Sequence, residues 1–154
     1  MQQTDSCQCG HIQFEIDGDI IAAVMCFCTE CQKVSSGVAT MSVGINRKSF
    51  KLVSGTLKQW ERSSDSGARN IAHFCPECGN RIFHEDPDKP DIIRLKRSII
   101  GDEAALEPDA YVWMRSAPDW VCLPKGAVQI EKQPGIVKLL SLAAKRRGKQ
   151  LLSR

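Results

Sequence analysis

The sequence predicts a mainly β, antiparallel fold, and three observations carry that expectation. Apolar and polar side chains alternate over short segments, Gly, Pro and Asp punctuate the gaps between them, and cysteines recur in C-x-C, C-x-C-x-x-C and C-P-x-C-G motifs. Alternation turns one face of a strand towards a core, and many short strands with frequent turns add up to antiparallel sheets. At 154 residues, with 42% hydrophobic and 25% charged residues, the chain has the length and composition of one ordinary globular domain.

Taken in order, Ile12 to Ile16 alternates cleanly and stops at Asp17-Gly18-Asp19. The apolar run from Ile20 to Phe27 is far too short to span a bilayer. Thr29 with Gln32 three residues on resembles a capping box, so a short helix is expected, carrying Cys31 in its first turn and stopping at Gly37. Ala39, Met41, Val43 and Ile45 alternate as a strand. Phe50 to Val53 and Leu57 to Trp60 flank Ser54-Gly55-Thr56 and read as a hairpin. Further strands are expected at 70–75, 81–83, 92–95, 111–114, 121–123 and 128–130. Beyond Gly135, Ile136, Leu139, Leu140 and Ala143 have helical spacing, with Lys138, Ser141, Lys145 and Lys149 on another side. The chain is therefore read as a domain over 1–133 and a basic amphipathic tail over 134–154, solvated or partly docked.

The charge balance follows this division. Lys132, Lys138, Lys145, Arg146, Arg147, Lys149 and Arg154 give the end of the chain seven positive charges and no acids. Setting these aside from the net +3 leaves residues 1–131 at −4, so no specific nucleic-acid partner follows from the overall charge. Residues 1–6, Met-Gln-Gln-Thr-Asp-Ser, have neither a basic n-region nor an apolar h-region, so the expected compartment is the reducing cytoplasm. There the eight cysteines stay as thiols, and a disulfide within C-x-C would in any case be a strained small ring.

Metal ligation accounts for the cysteines better than disulfides do. Cys75-Pro76-Glu77-Cys78-Gly79 puts two thiolates on one metal, with a glycine for the tight turn. A redox-active dithiol is the rival reading, but it expects an α/β setting that this chain lacks. Cys7 and Cys9, two apart on an extended segment, would point to one face and complete a tetrahedral zinc site that clips distant parts of the chain together. Cys26, Cys28 and Cys31 supply three more sulfurs, enough for a second zinc with one position left for water or a substrate thiol. Cys122 either closes that site as a fourth ligand or packs as a core cysteine, and its strand-like neighbours Val121 and Leu123 favour the core. His11, His73 and His84 read as surface or core residues rather than ligands. No Ser/His/Asp pattern, phosphate loop or paired-carboxylate motif is present.

The order of these motifs resembles the glutathione-dependent formaldehyde-activating enzyme family, which also includes centromere protein V. The resemblance runs from about Cys7 to about Ile130, through Cys7-Gln8-Cys9-Gly10, the run from Phe74 to Phe83, and Trp113 and Trp120. It implies a β-tent-like fold, a structural zinc on Cys7, Cys9, Cys75 and Cys78, and a catalytic-type zinc on Cys26, Cys28 and Cys31. It also implies a carbon–sulfur lyase activity that joins glutathione to formaldehyde as S-hydroxymethylglutathione. Glutathione carries two carboxylates, for which Lys33, Arg47, Lys48 and Arg69 are eligible. Two features depart from the family pattern: Phe27 stands where many members have His, and the basic tail lies outside it.

Overall fold

The computed structural model describes residues 2–64, 67–101 and 106–152. The expected mainly β fold is found, with eleven strands and two α-helices among the described residues. In chain order these are β1 (Gln2–Ser6), β2 (Gln13–Asp17), β3 (Ala22–Cys26), α1 (Thr29–Ser35), β4 (Thr40–Asn46), β5 (Phe50–Ser54) and β6 (Lys58–Ser63). They continue with β7 (Arg69–Phe74), β8 (Arg81–Glu85), β9 (Ile92–Lys96), β10 (Ala110–Val112), β11 (Gln129–Ile130) and α2 (Ile136–Leu152). The chain divides into two compact units, one from Met1–Ile20 and Val43–Ala104, the other from Ile21–Ser42 and Ala105–Arg154.

In the first unit, β1, β2 and β5 form a three-stranded antiparallel sheet in that order. The polar β1, Gln-Gln-Thr-Asp-Ser, carries no apolar alternation, and the hairpin with β2 is what makes it a strand. The strands β6, β7, β8 and β9 form an antiparallel meander, with β4 next to β9. Phe14 and Phe50 stack at 5.3 Å and Phe50 meets Phe83 edge-on at 5.0 Å, all three rings being buried. Burial of rings of this size contributes about 2–3 kcal/mol each, which makes this aromatic contact the centre of the unit's core.

The hairpin expected around Ser54-Gly55-Thr56 is not formed. β5 pairs with β2 and β6 with β7, so the segment is a connector between two sheets. Gly55 passes so close to the His11 carbonyl that a Cβ there would lie 2.5 Å from its oxygen. The glycine thus serves a close backbone approach rather than a two-strand turn.

In the second unit β10 lies between β3 and β11 and runs parallel to both, a pairing that alternation alone does not foretell. The buried Asp109 carboxylate accepts from the Ala23 amide at 2.7 Å and from Arg146 Nη1 at 3.4 Å, tying the start of β10 to β3 and α2. Leu139 of α2 packs on Ala110 and Val112, with Leu142 alongside. Arg146 anchors the helix further through the Glu107 carbonyl at 2.6 Å and the Glu107 carboxylate at 2.8 Å. The docked stripe is therefore Leu139, Leu142, Ala143 and Arg146, whereas Ile136 and Leu140 stay half exposed. Arg154 of the expected basic tail lies outside the described residues. The strand expected at 121–123 is absent: that stretch is irregular.

Candidate metal centres

The first cysteine cluster lies wholly in the first unit, on two related turns, each with a left-handed glycine. Between β1 and β2, the Cys7 amide donates to the Ile12 carbonyl at 2.9 Å and the Gly10 amide to the Cys7 carbonyl at 3.0 Å. Between β7 and β8, the Cys75 amide donates to the Asn80 carbonyl and the Gly79 amide to the Cys75 carbonyl, both at 3.0 Å. Gly10 at φ 78° and Gly79 at φ 72° take the left-handed conformation each turn requires. The Gln8 amide donates to Asn80 Oδ1 at 3.2 Å and links one turn to the other. Cys7 and Cys9 thus converge through a turn, not through the strand alternation expected of C-x-C.

The four sulfurs of Cys7, Cys9, Cys75 and Cys78 all lie within 4.8 Å of one another, with Cys7–Cys9 at 3.5 Å and Cys9–Cys75 at 3.7 Å. A tetrahedron of ~2.3 Å zinc–sulfur bonds has edges of about 3.8 Å, so the donor set fits such an ion. Backbone amides already favour negative sulfur here. The Asn80 amide brings the Cys78 thiol down to about 6. Burial acts to raise Cys7, but the Ile12 amide, 3.2 Å from its sulfur, and the Cys9 and Cys75 thiols bring it below its ordinary value. At Cys9 the His11 amide favours the thiolate. Lost hydration and hydrogen bonding to the sulfurs of Cys7, Cys78 and Cys75 outweigh it, pushing that thiol up to about 12. Four thiolates this close need a cation between them.

The second cluster lies wholly in the second unit and is local in sequence. Cys26 ends β3, Cys28 caps α1, and Cys31 sits in its first turn, all three half-buried with sulfurs within 4.8 Å of one another. The cap is Cys28 itself, whose Sγ accepts from the Cys31 amide at 3.4 Å, in place of the expected Thr29–Gln32 capping box. Gln32 instead donates from its side-chain amide to the carbonyls of Phe27 and Ser116, both at 2.8 Å. The helix ends on Ser36 in a left-handed conformation, one residue before the expected Gly37 stop. The Cys26 thiol is driven upward by hydrogen bonding to Cys28 and Cys31 and by burial, so this trio also needs a cation before all its sulfurs can be negative.

Cys122 belongs to neither cluster. It is exposed, not the core residue its neighbours suggested, and its Sγ lies 3.8 Å from the Trp120 carbonyl. All eight cysteines are free thiols. None of the three histidines joins a cluster. His11 is exposed, His73 bonds Glu85 at 2.6 Å while stacking on Phe83, and His84 lies beside Asn70.

The eligible cations are distributed unevenly. Lys33 pairs with Glu30 at 2.8 Å, and Arg69 forks onto Glu61. Arg47 reaches the Phe50 carbonyl and lies over Phe50 and Phe83, and with Lys48 it lines a cavity of about 640 Å³ in the first unit. Sequence reasoning missed Gln32 as a brace and Arg115, which lies over Trp113 at 4.8 Å. Trp113 has φ 59°, and no periodicity signals a left-handed tryptophan.

Comparison with known proteins adds family information to this geometry. A family model described as glutathione-dependent formaldehyde-activating enzyme matches residues 2–116. A Halomonas elongata protein, provisionally named a glutathione-dependent formaldehyde-activating enzyme, is 23% identical over 125 residues, covering 75% of this chain and 77% of its own. A Rhodobacter sphaeroides crystal structure superposes with a TM-score of 0.53 at 17% identity, over 83% of this chain and 99% of that one, and shares the fold. No described helix is long and apolar enough to cross a membrane.

Proposed function

The chain belongs to the glutathione-dependent formaldehyde-activating enzyme family, and we propose that it adds a thiol, glutathione foremost, to formaldehyde, as a carbon–sulfur lyase-type enzyme with two zinc ions. The observation that carries this reading is the local trio Cys26, Cys28 and Cys31, three converging sulfurs with Cys122 outside their cluster. Cys7, Cys9, Cys75 and Cys78 would hold a structural zinc, and the trio a catalytic-type one. Zinc at the trio would supply a positive charge that favours the thiolate form of a substrate sulfur.

The chain's residues define the rest of the site. The Cys31 amide donates to Cys28 Sγ and offsets negative charge on that sulfur. Gln32 braces the trio by joining the Phe27 and Ser116 carbonyls, which holds residues 26–32 against the turn at Met114–Ser116. In the reaction the substrate sulfur forms a bond to the aldehyde carbon, the carbonyl π pair moves to oxygen, and that oxygen ends with the proton the thiol lost. Nothing is oxidised or reduced. Thiols in both clusters suit a reducing compartment, which we take to be the cytoplasm.

The test is exchange spectroscopy of glutathione and formaldehyde with zinc-loaded protein. Formation of S-hydroxymethylglutathione above the uncatalysed rate, lost in Cys28→Ser, is expected. An unchanged rate with both sites loaded would favour a non-catalytic zinc-stabilised binding module instead.

A further inference from the structure

Helix α2 carries two apolar stripes, and its docking on β10 uses only one of them. Successive residues of a helix lie about 100° apart around its axis. The docked stripe of Leu139, Leu142, Ala143 and Arg146 therefore covers an arc of about 100°, and Ile136, Val137, Leu140 and Ala144 cover a second arc of similar width. Val137 falls almost opposite the docked arc and is 77% exposed, with Ile136 at 50% and Leu140 at 42% closer to that arc. Single exposed apolar side chains are ordinary on a protein surface, but three large ones on one side of one helix form a stripe.

The charge on this helix has one sign. α2 holds five basic residues and no acid. Arg146 is committed to Glu107 and Asp109, whereas Lys138 and Lys145 are exposed and enter no ion pair among the described residues. By helical spacing these two lysines lie on one flank of Val137, with Ile136 and Leu140 on the other. Lysine lays its hydrocarbon stem along an apolar surface while the ammonium reaches for charge. The outer side of α2 thus presents branched apolar side chains and available ammonium groups next to each other. An anionic bilayer surface offers the matching pair, acyl chains beneath charged headgroups.

We propose that the outer stripe of α2 rests in the plane of an anionic lipid surface, with Ile136, Val137 and Leu140 at the acyl boundary and Lys138 and Lys145 among the headgroups. The helix lies on such a surface and does not cross it, since no described helix is long and apolar enough to span a membrane. A protein groove that takes an amphipathic helix needs room on both flanks of the apolar face, and on the Ile136 flank the docked stripe has taken that room. A flat surface meets the outer side alone. A second copy of this chain would set the lysines of two acid-free helices against each other. Nucleic acid would answer the lysines and leave the apolar stripe in water. The proposal does not depend on the thiol chemistry of the cysteine trio.

The experiment is co-sedimentation of the zinc-loaded full chain with vesicles of phosphatidylcholine alone and of phosphatidylcholine containing about 30% phosphatidylglycerol, at low and high salt. The wild type should partition onto the anionic vesicles at least about tenfold more strongly than onto the neutral ones, and high salt should weaken that binding. Val137→Asp, and separately Lys138→Gln combined with Lys145→Gln, should each lower the partition by about tenfold. All three positions are exposed, so thermal melting should stay unchanged in both variants. A wild type that stays in the supernatant with both vesicles overturns the proposal. Vesicle binding that survives Val137→Asp overturns it as well, because the attraction is then one of charge alone. Sedimentation as a dimer without lipid, reverting to monomer in Val137→Asp, assigns the stripe to a second copy and not to a lipid surface.

Discussion

The two cysteine clusters use the same ligand chemistry in opposite structural settings. The first gathers sulfurs from positions 7 to 78, on two glycine turns that are bonded to each other through Gln8 and Asn80. Closing so long a loop costs chain entropy, and a metal there returns its binding free energy as folding free energy. The second draws its sulfurs from a single six-residue stretch, and the end of β3 and the start of α1 already place them. On the proposed reading, loss of a metal from the second would remove chemistry, whereas loss of one from the first would remove the link between distant segments.

The largest expected effect breaks this comparison directly. Cys75→Ser should abolish cooperative unfolding or lower stability by more than about 3 kcal/mol, while Cys28→Ser should change it by less than about 1 kcal/mol. Thermal denaturation at fixed zinc, with metal content measured in parallel, checks both values. Equal destabilisation by the two would contradict the division.

Acid should also distinguish the regions, because all three histidines belong to the first unit. Burial, with Lys96, Arg94, Arg81 and Arg62 adding to it, holds the His84 ring neutral down to about 2. The unfolded chain takes up that proton near its ordinary value of ~6.5, so it binds more protons than the folded state in between. The His84 contribution is therefore full above about pH 6.5 and declines as pH falls towards 2. His84→Gln should lose less stability than wild type between pH 7 and 4, by on the order of 2 kcal/mol. Denaturant melts at both pH values measure the difference, and parallel acid losses would contradict it.

In the second unit, Leu139→Ala removes the main apolar contact between α2 and β10 and should cost about 2–3 kcal/mol by denaturant titration. Trp113→Gly should be more stable than Trp113→Ala by about 1 kcal/mol, since glycine relieves the left-handed strain while both lose the ring. The reverse order would mean that the backbone at residue 113 relaxes once the indole is gone.

What was legible in the sequence follows the same physical divide. Local, repetitive signals were readable: alternation in β2, β4 and β7 to β9, and the three cysteine motifs that define both clusters. Signals that depend on a distant partner were not. β1 is polar and exists through its pairing with β2, and β3 hides within the continuous apolar run that a strand in a parallel pair produces. The Ser54-Gly55-Thr56 turn signal was genuine, but the chain used it to change sheets because Gly55 must pass the His11 carbonyl. Thr29 and Gln32 matched a capping pattern, yet a thiol one residue earlier took the cap and freed Gln32 to brace Ser116. Cys122 was misread because Val121 and Leu123 alternate without a partner strand to pair with. Arg115 gave no motif, since its setting is made by the conformation of Trp113.

The central claim is that one cluster is closed by four cysteines and the other is open with three. Cadmium-113 magnetic resonance of the cadmium-substituted full chain, titrated with glutathione, tests it most directly. Two resonances are predicted, one unmoved by glutathione and lost in Cys75→Ser, the other shifting on glutathione addition and lost in Cys28→Ser. Two resonances that both ignore glutathione, or a single resonance removed by either substitution, would contradict the account.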